Sequence, residues 1–378
     1  MKVALVYDRI NKWGGAERVL LALHKIFKDA PLYTSVYSKK NTPWADVFDI
    51  RPSFLQKITG VYSSHEFLAP LMPLAFESMS FDDFDAVISV TSEAAKGVLT
   101  KPKTMHICIC LTPTRYLWSG YNDYFRNKTT RKLSKPLVSS LRAWDKTAAQ
   151  RPDYMIAISE NVRQRINKYY GRDSVVIYPP AESLENTIQN NHTDFIQKDK
   201  KSKTQPKDKN LGYFLVVSRL VHYKRIDIAI KAFNKINLPL KIIGIGRDFN
   251  RLKRLAKKNI EFLGNLTDEK LSYYYQNARA LVFPGIEDFG LTMVEAQLSG
   301  VPVIAFGQGG AVEIVKKGET GEFFKLQDHN CLIRILEKFD EKRYNSKNCR
   351  KNGERFLFRN FERNFTDFFN VKVKEYFK

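Results

Sequence analysis

Short apolar runs alternate with stretches in which apolar residues recur every three or four positions, and the alternation continues along almost the whole chain. Val3 to Tyr7, Ala86 to Val90, Ile107 to Leu111, Met155 to Ser159, Tyr213 to Val217, Lys241 to Gly244, Leu281 to Phe283 and Val303 to Phe306 have the length and composition of buried strands. Helical spacing follows several of them, as in Val19, Leu20, Leu23, Ile26 and Phe27, in Ile226, Ala229, Ile230 and Phe233, and in Leu291 to Leu298. Strands alternating with helices predict an α/β chain built on parallel sheets. Glu185 to Asn210 breaks the rhythm: it is rich in Lys, Asn, Gln, Asp and Thr and almost free of large apolar residues, as a linker or insertion would be. The expected organisation is a Rossmann-like domain over 1–180, a polar linker over 181–210 and a second Rossmann-like domain over 211–355. Doubly wound sheets bind ligands at the carboxyl ends of their strands, so the cleft between the domains is the expected active site. The last segment, 356–378, sets Phe356, Phe358, Phe361, Phe365, Phe368, Phe369 and Tyr376 among basic residues. It is expected to form one or two amphipathic helices packed back on the N-terminal domain, with a membrane foot as the alternative.

Composition adds bounds. A chain of 378 residues that is 43% hydrophobic can fill two cores. No 18-residue apolar run is present and the first residues enter a strand, which predicts neither a spanning helix nor a secretory signal and so a cytoplasmic protein. Four unevenly spread cysteines argue against a disulfide framework. His106, Cys108 and Cys110 alternate along one strand, but same-face side chains there stand about 6 to 7 Å apart, too wide for one tetrahedral zinc. The net charge of +22 suits nucleic acid, an anionic membrane or phosphate-bearing substrates. With no recognition helix, zinc module or stacked-aromatic sheet motif to accompany it, nucleic acid is not an expected partner.

The chemistry concentrates at strand exits. Glu287 follows the Leu281 to Phe283 strand on a Pro284-Gly285 loop, and Glu295 lies on the next helix, where free N–H groups favour anions such as phosphates. A sugar on one carboxylate and a ribose on the other would fit, although a loop acid and a helix-surface acid need no ligand. Arg219 and Lys224 bracket the loop after Tyr213 to Val217. Arg clamps phosphate oxygens in bidentate fashion and Lys adds a point charge, so the pair suits a diphosphate and its departure without a metal. Gly244 and Gly246 make a further close-approach turn, and Gly309-Gly310 opens a helix expected opposite the Glu287 loop. Gly14 and Gly15 open the first helix without completing a dinucleotide fingerprint, so no nicotinamide cofactor is expected.

With Gly14-Gly15, then Arg219 and Lys224, then Glu287 and Glu295 in that order, the chain resembles glycosyltransferase family 4, the retaining GT-B enzymes that use nucleotide sugars. The resemblance implies two Rossmann-like domains facing a central cleft, a nucleoside diphosphate sugar as donor, and no metal or other cofactor. It implies that Arg219 and Lys224 hold the donor diphosphate, Glu295 the nucleotide ribose and Glu287 the transferred hexose, and these make Glu287, Arg219 and Lys224 the expected catalytic set. Gly244, Gly246, Phe289, Gly290, Leu291 and Thr292 complete the expected donor site, and Gly14 and Gly15 the acceptor-side wall. Residues 106–118 and 151–166 look like the mannosyltransferase-like subgroup that builds bacterial surface polysaccharides, which implies a hexose, mannose and GDP-mannose among the candidates, passed to a lipid-linked glycan at the inner face of the membrane. That subgroup reads His-Thr-Pro where this chain has Leu111-Thr112-Pro113, which leaves a catalytically silent nucleotide-sugar-binding homologue as the rival. Between Arg115 and Lys135, Tyr116, Trp118, Tyr121, Tyr124 and Phe125 interleave with Arg126, Lys128, Arg131 and Lys132. The mixture suits a lipid diphosphate acceptor at an anionic membrane, single-stranded nucleic acid, or a loop packed by its own aromatics.

Overall fold

The computed structural model describes residues 1–58, 65–125, 127–182 and 212–378. Arg126 and nearly all of the expected linker, 183–210, lie outside the described residues. The chain divides into two units, Met1–Pro180 with Phe358–Lys378, and Ala181–Leu357.

The first unit holds a seven-stranded, wholly parallel sheet in the order β3-β2-β1-β4-β5-β6-β7. Its strands are β1 (Val3–Tyr7), β2 (Leu32–Thr34), β3 (Ile50–Pro52), β4 (Ala86–Thr91), β5 (Met105–Cys110), β6 (Tyr154–Ala157) and β7 (Val175–Val176). β1, β4 and β5 are buried at every position, which is why they read as unbroken apolar runs. The terminal helix Phe358–Tyr376 belongs to this unit, with Phe365 and Phe369 set against Phe27 at ring distances of 6.2 and 5.1 Å. Phe356, counted with that segment from the sequence, stays in the second unit: it packs at 5.2 Å on Phe289, and its carbonyl accepts from Ala181 N–H at 2.7 Å. The helix therefore starts two residues later than expected.

The second unit holds a six-stranded parallel sheet, order β10-β9-β8-β11-β12-β13. The strands are β8 (Tyr213–Val217), β9 (Leu240–Ile243), β10 (Ile260–Gly264), β11 (Ala278–Phe283), β12 (Val303–Phe306) and β13 (Gly321–Phe324). Its core gathers Phe214, Ile226, Ile230, Phe233, Ile242, Val282, Ile304 and Leu332, each side chain contributing about 1.5–3 kcal/mol by burial. Helices cross from strand to strand, as the alternating pattern requires. Among the described residues no helix is long and apolar enough to cross a membrane.

Candidate functional site

In the second unit β8 lies between β9 and β11, so the chain winds out through β9 and β10 and returns on the other side of β8. The loops leaving β8 and β11 therefore stand side by side at the switch point, where an open α/β sheet forms a binding crevice. One carries Arg219 and Lys224, the other Glu287. Lys224 Nζ pairs with a Glu287 carboxylate oxygen, the side chains being 10% and 16% exposed. At that exposure the attraction exceeds that of a solvated surface pair, yet both groups remain within reach of a ligand. Lys224 ends a short 3₁₀ turn, His222–Lys224, and Arg225 follows in the left-handed region at φ 53° to launch the helix Ile226–Ile236. Arg219 is exposed, and its Nη2 donates to the Tyr223 hydroxyl at 2.8 Å.

Glycines brace both loops. Gly244 has φ 135°, and a Cβ there would come within 1.9 Å of the Ser218 carbonyl oxygen. A Cβ on Gly246 would come within 2.2 Å of the Leu220 oxygen. Leu220 N–H donates to Ile245 C=O and Asp248 N–H to Leu220 C=O, both at 2.9 Å. The backbone that approaches these glycines is thus the Arg219 loop itself. On the other side Gly310 N–H donates to the Glu287 carbonyl at 2.9 Å, and a Cβ on Gly310 would lie 2.0 Å from the Phe289 oxygen. The Gly309-Gly310 turn clamps the Glu287 loop.

Glu295 sits in the second turn of the helix Leu291–Leu298, only 3% exposed, and accepts a 3.0 Å hydrogen bond from the Tyr275 hydroxyl. That hydroxyl also lies 3.3 Å from the Thr292 carbonyl. Tyr275 has no signal in the sequence, because it comes from the separate helix Asp268–Gln276. Gly290, at φ 111°, caps the helix that Leu291 and Thr292 begin, and Phe289 is buried. The side chain of Phe289 is core, which leaves only its backbone for a ligand.

In the first unit the switch point falls between β1 and β4. Asp8, just after β1, joins the two exits by accepting from Thr91 Oγ1 at 2.8 Å, Ser92 N at 2.7 Å, and Ala94 N and Ala95 N at 2.9 Å. Gly14 caps the helix Gly15–Ile26, whose Glu17 is buried and accepts from the Tyr7 hydroxyl at 2.6 Å. Burial and the Glu17 charge hold that phenol well above its ordinary pKa.

Sequence patterns missed a buried ionic cluster. Lys96 and Asp145 pair at 2.6 Å with both side chains 1% exposed. Asp145 also accepts from Thr114 Oγ1 at 2.7 Å, Trp118 Nε1 at 2.7 Å and the Tyr170 hydroxyl at 2.9 Å. Burial alone would lower the Lys96 pKa, but the charge and hydrogen bond of Asp145, with Cys110 and Asp8, raise it above the usual value. This cluster organises the 111–118 segment. Leu111 is buried at 9% exposure and donates its N–H to Thr91 C=O. His106 is fully buried, 2.8 Å from Ser89 Oγ, and burial with nearby Arg172 and Arg151 pushes its pKa down to about 3.

The stretch 115–135 is no single loop. Tyr116, Trp118, Tyr121 and Phe125 pack around Leu117, Val138 and Leu141, and Arg131, Lys132 and Lys135 belong to the helix Lys128–Ala148. Arg142 lies over the Tyr121 ring at 4.8 Å.

Residues 197–356 match the model of the family described as Glycosyl transferases group 1. Over 257 residues the chain is 26% identical to the O-antigen chain mannosyltransferase C of Escherichia coli, covering 65% of this chain and 64% of that protein. It is 28% identical over 221 residues to an uncharacterized glycosyltransferase of Methanocaldococcus jannaschii, 57% of each. A GDP-mannose-dependent monoacylated alpha-(1-6)-phosphatidylinositol monomannoside mannosyltransferase of Corynebacterium glutamicum is 34% identical over 32% of this chain and 35% of its own length. The chain thus matches under two thirds of each relative's length. Among solved structures, HepE of Anabaena in complex with UDP and glucose has a TM-score of 0.69 at 18% identity, covering 98% and 99% of the two chains. Sucrose-phosphate synthase of Thermosynechococcus elongatus has a TM-score of 0.72 at 17% identity, covering 99% and 100%. At these identities the likeness is one of fold.

Proposed function

We propose that the chain transfers a hexose from a nucleoside diphosphate sugar to a glycan acceptor, because residues 197–356 match the model described as Glycosyl transferases group 1 and the two doubly wound parallel sheets are those of the GT-B fold. The observation that carries this is the Lys224–Glu287 pair at the switch point, on loops that glycines brace from both sides. Arg219 and Lys224 supply the positive charge that a diphosphate needs, both bound and departing, so no metal is called for. Glu287 offers its carboxylate to hexose hydroxyls once Lys224 engages the phosphates, and Glu295, held by Tyr275, takes the ribose. The anomeric carbon–phosphate bond breaks, the acceptor oxygen bonds the same carbon on the same face, and the leaving phosphate oxygen takes the acceptor's proton. That retaining course needs no side-chain base at Leu111. Both mannosyltransferase relatives favour mannose as the transferred hexose, and the Corynebacterium glutamicum one favours GDP-mannose as donor and a lipid-linked acceptor. Leu133 and Leu137, 76% and 45% exposed beside exposed Lys132 and Lys135 on one basic helix, suit peripheral contact with the anionic inner face of the membrane.

A thermal-shift panel of GDP-, UDP- and ADP-sugars tests the reading, since a ligand of the native state raises apparent stability. One donor should stabilise the protein and Arg219→Ala should weaken the effect; no shift with any of them sinks the proposal. Leu111 favours a second reading, a silent homologue, for which that donor would bind without transfer or hydrolysis.

A further inference from the structure

We infer that Trp13 is a stacking platform for a hexopyranose ring of the acceptor, an inference that rests on the transferase reading above. Trp13 stands on the loop leaving β1, at the switch point of the first sheet and directly before Gly14-Gly15, yet it is 50% exposed. Exposure of one aromatic ring is ordinary in itself; what sets Trp13 apart is its place at the ligand edge of a doubly wound sheet and the support beneath it. It is also held in place. Trp44 supports it at a ring distance of 5.9 Å, and the Trp44 indole N–H donates to Lys12 C=O at 3.0 Å, tying the loop down. Phe48 backs Trp44 at 6.3 Å, and His24, on the first helix, backs Phe48 at 4.7 Å. A fixed aromatic face costs little ordering entropy on binding, and its negative π surface attracts the C–H edge that one face of a pyranose presents.

The surroundings fit a hydroxyl-rich ligand. The turn that carries Trp44 also carries the exposed carboxylate Asp46, which the Tyr37 hydroxyl approaches at 3.3 Å, and Lys12, the residue before Trp13, is exposed. An anion here disfavours an anionic lipid surface. Asn11 Oδ1, two residues before Trp13 on the same loop, is a buried acceptor with no hydrogen-bond partner. Unsatisfied buried acceptors are costly, and sugar hydroxyls are donors.

The test is a ligand-observed NMR titration of the full chain with the methyl α-glycosides of mannose, glucose and galactose. One glycoside should bind saturably, Trp13→Ala should weaken it about tenfold, and Trp13→Phe should weaken it less. Stabilisation by the nucleoside diphosphates and sedimentation with phosphatidylglycerol–phosphatidylethanolamine vesicles should be the same in both variants as in the wild type. The inference is overturned if no glycoside binds the wild type, if Trp13→Ala binds it as tightly, or if that variant loses only vesicle binding, which would make Trp13 a membrane anchor. Nucleotide stabilisation reads the second unit separately: its failure in the wild type refutes the transferase reading and leaves the saccharide result unaffected.

Discussion

Each unit contains a lysine–carboxylate pair near the carboxyl ends of its strands, and the two pairs are built for different work. Lys96 and Asp145 are sealed at 1% exposure, and three further donors converge on the carboxylate. Lys224 and Glu287 stay partly exposed, on two loops whose conformation is fixed by backbone contacts with glycine turns. A charge buried with all its partners is a fastener: no ligand reaches it, and removing one member strands the other. A pair at a switch point, held by its backbone and open at its side chains, can exchange its partner for a ligand at little cost to the fold. Burial and the origin of the bracing, more than the ion pair itself, separate structure from function here.

The contrast can be broken most forcefully from the first unit. All four tryptophans, Trp13, Trp44, Trp118 and Trp144, lie in it, so tryptophan emission during urea unfolding reports on that unit. Asp145→Ala should cost about 3–5 kcal/mol by that measure, because Lys96 is left buried without its counter-charge and the Trp118 and Tyr170 donors lose their acceptor, whereas joint replacement by Lys96→Met and Asp145→Leu should recover only the ionic part of the loss. A loss below about 1 kcal/mol for Asp145→Ala would mean that the cluster is no fastener.

Acid should act on the same unit through His106. Its folded pKa, about 3, lies below the ordinary value of 6.5, so the unfolded chain binds the extra proton first. The contribution is complete above about pH 6.5 and is lost as pH falls towards about 3, on the order of 5 kcal/mol in all. Urea midpoints followed by tryptophan emission should slide across that window, and His106→Gln should flatten the slope. An equal slope in the variant would assign the effect to other groups.

The second unit's brace offers a further test. Gly310→Ala sets a methyl 2.0 Å from the Phe289 carbonyl oxygen, a backbone atom that cannot swing aside, and should cost at least about 1–3 kcal/mol by far-UV circular dichroism, while weakening the binding of a nucleoside diphosphate. Unchanged nucleotide affinity would show that the clamp does not position Glu287.

Much of the second unit's candidate site was legible because its parts are local. Glu287, Gly290 and Glu295 fall within nine residues, and Arg219 and Lys224 within six, each set at the exit of an unbroken apolar strand. Periodicity also found the strands at the centre of each sheet. It missed β2, β3 and β7, of three, three and two residues, which are too short to show a period. It also missed β10 and β13, neither of which is an unbroken apolar run: Glu261 interrupts the first, and Gly321 and Glu322 open the second. The Lys96 cluster was invisible for another reason: Thr114 lies 31 residues from Asp145, and Tyr170 lies 25. Only the folded chain brings them together. Tyr275 escaped in the same way, 20 residues from Glu295 on another helix.

The central claim is that the Lys224–Glu287 pair is the seat of the donor. Calorimetric titration of the wild type, Lys224→Ala and Glu287→Ala with the nucleoside diphosphate sugar that stabilises the protein, alongside a transfer assay, tests it most directly. Lys224→Ala should lose donor affinity, and both variants should lose about 10²- to 10³-fold in transfer while keeping the circular dichroism of the wild type. Wild-type affinity and turnover in both variants would contradict the account.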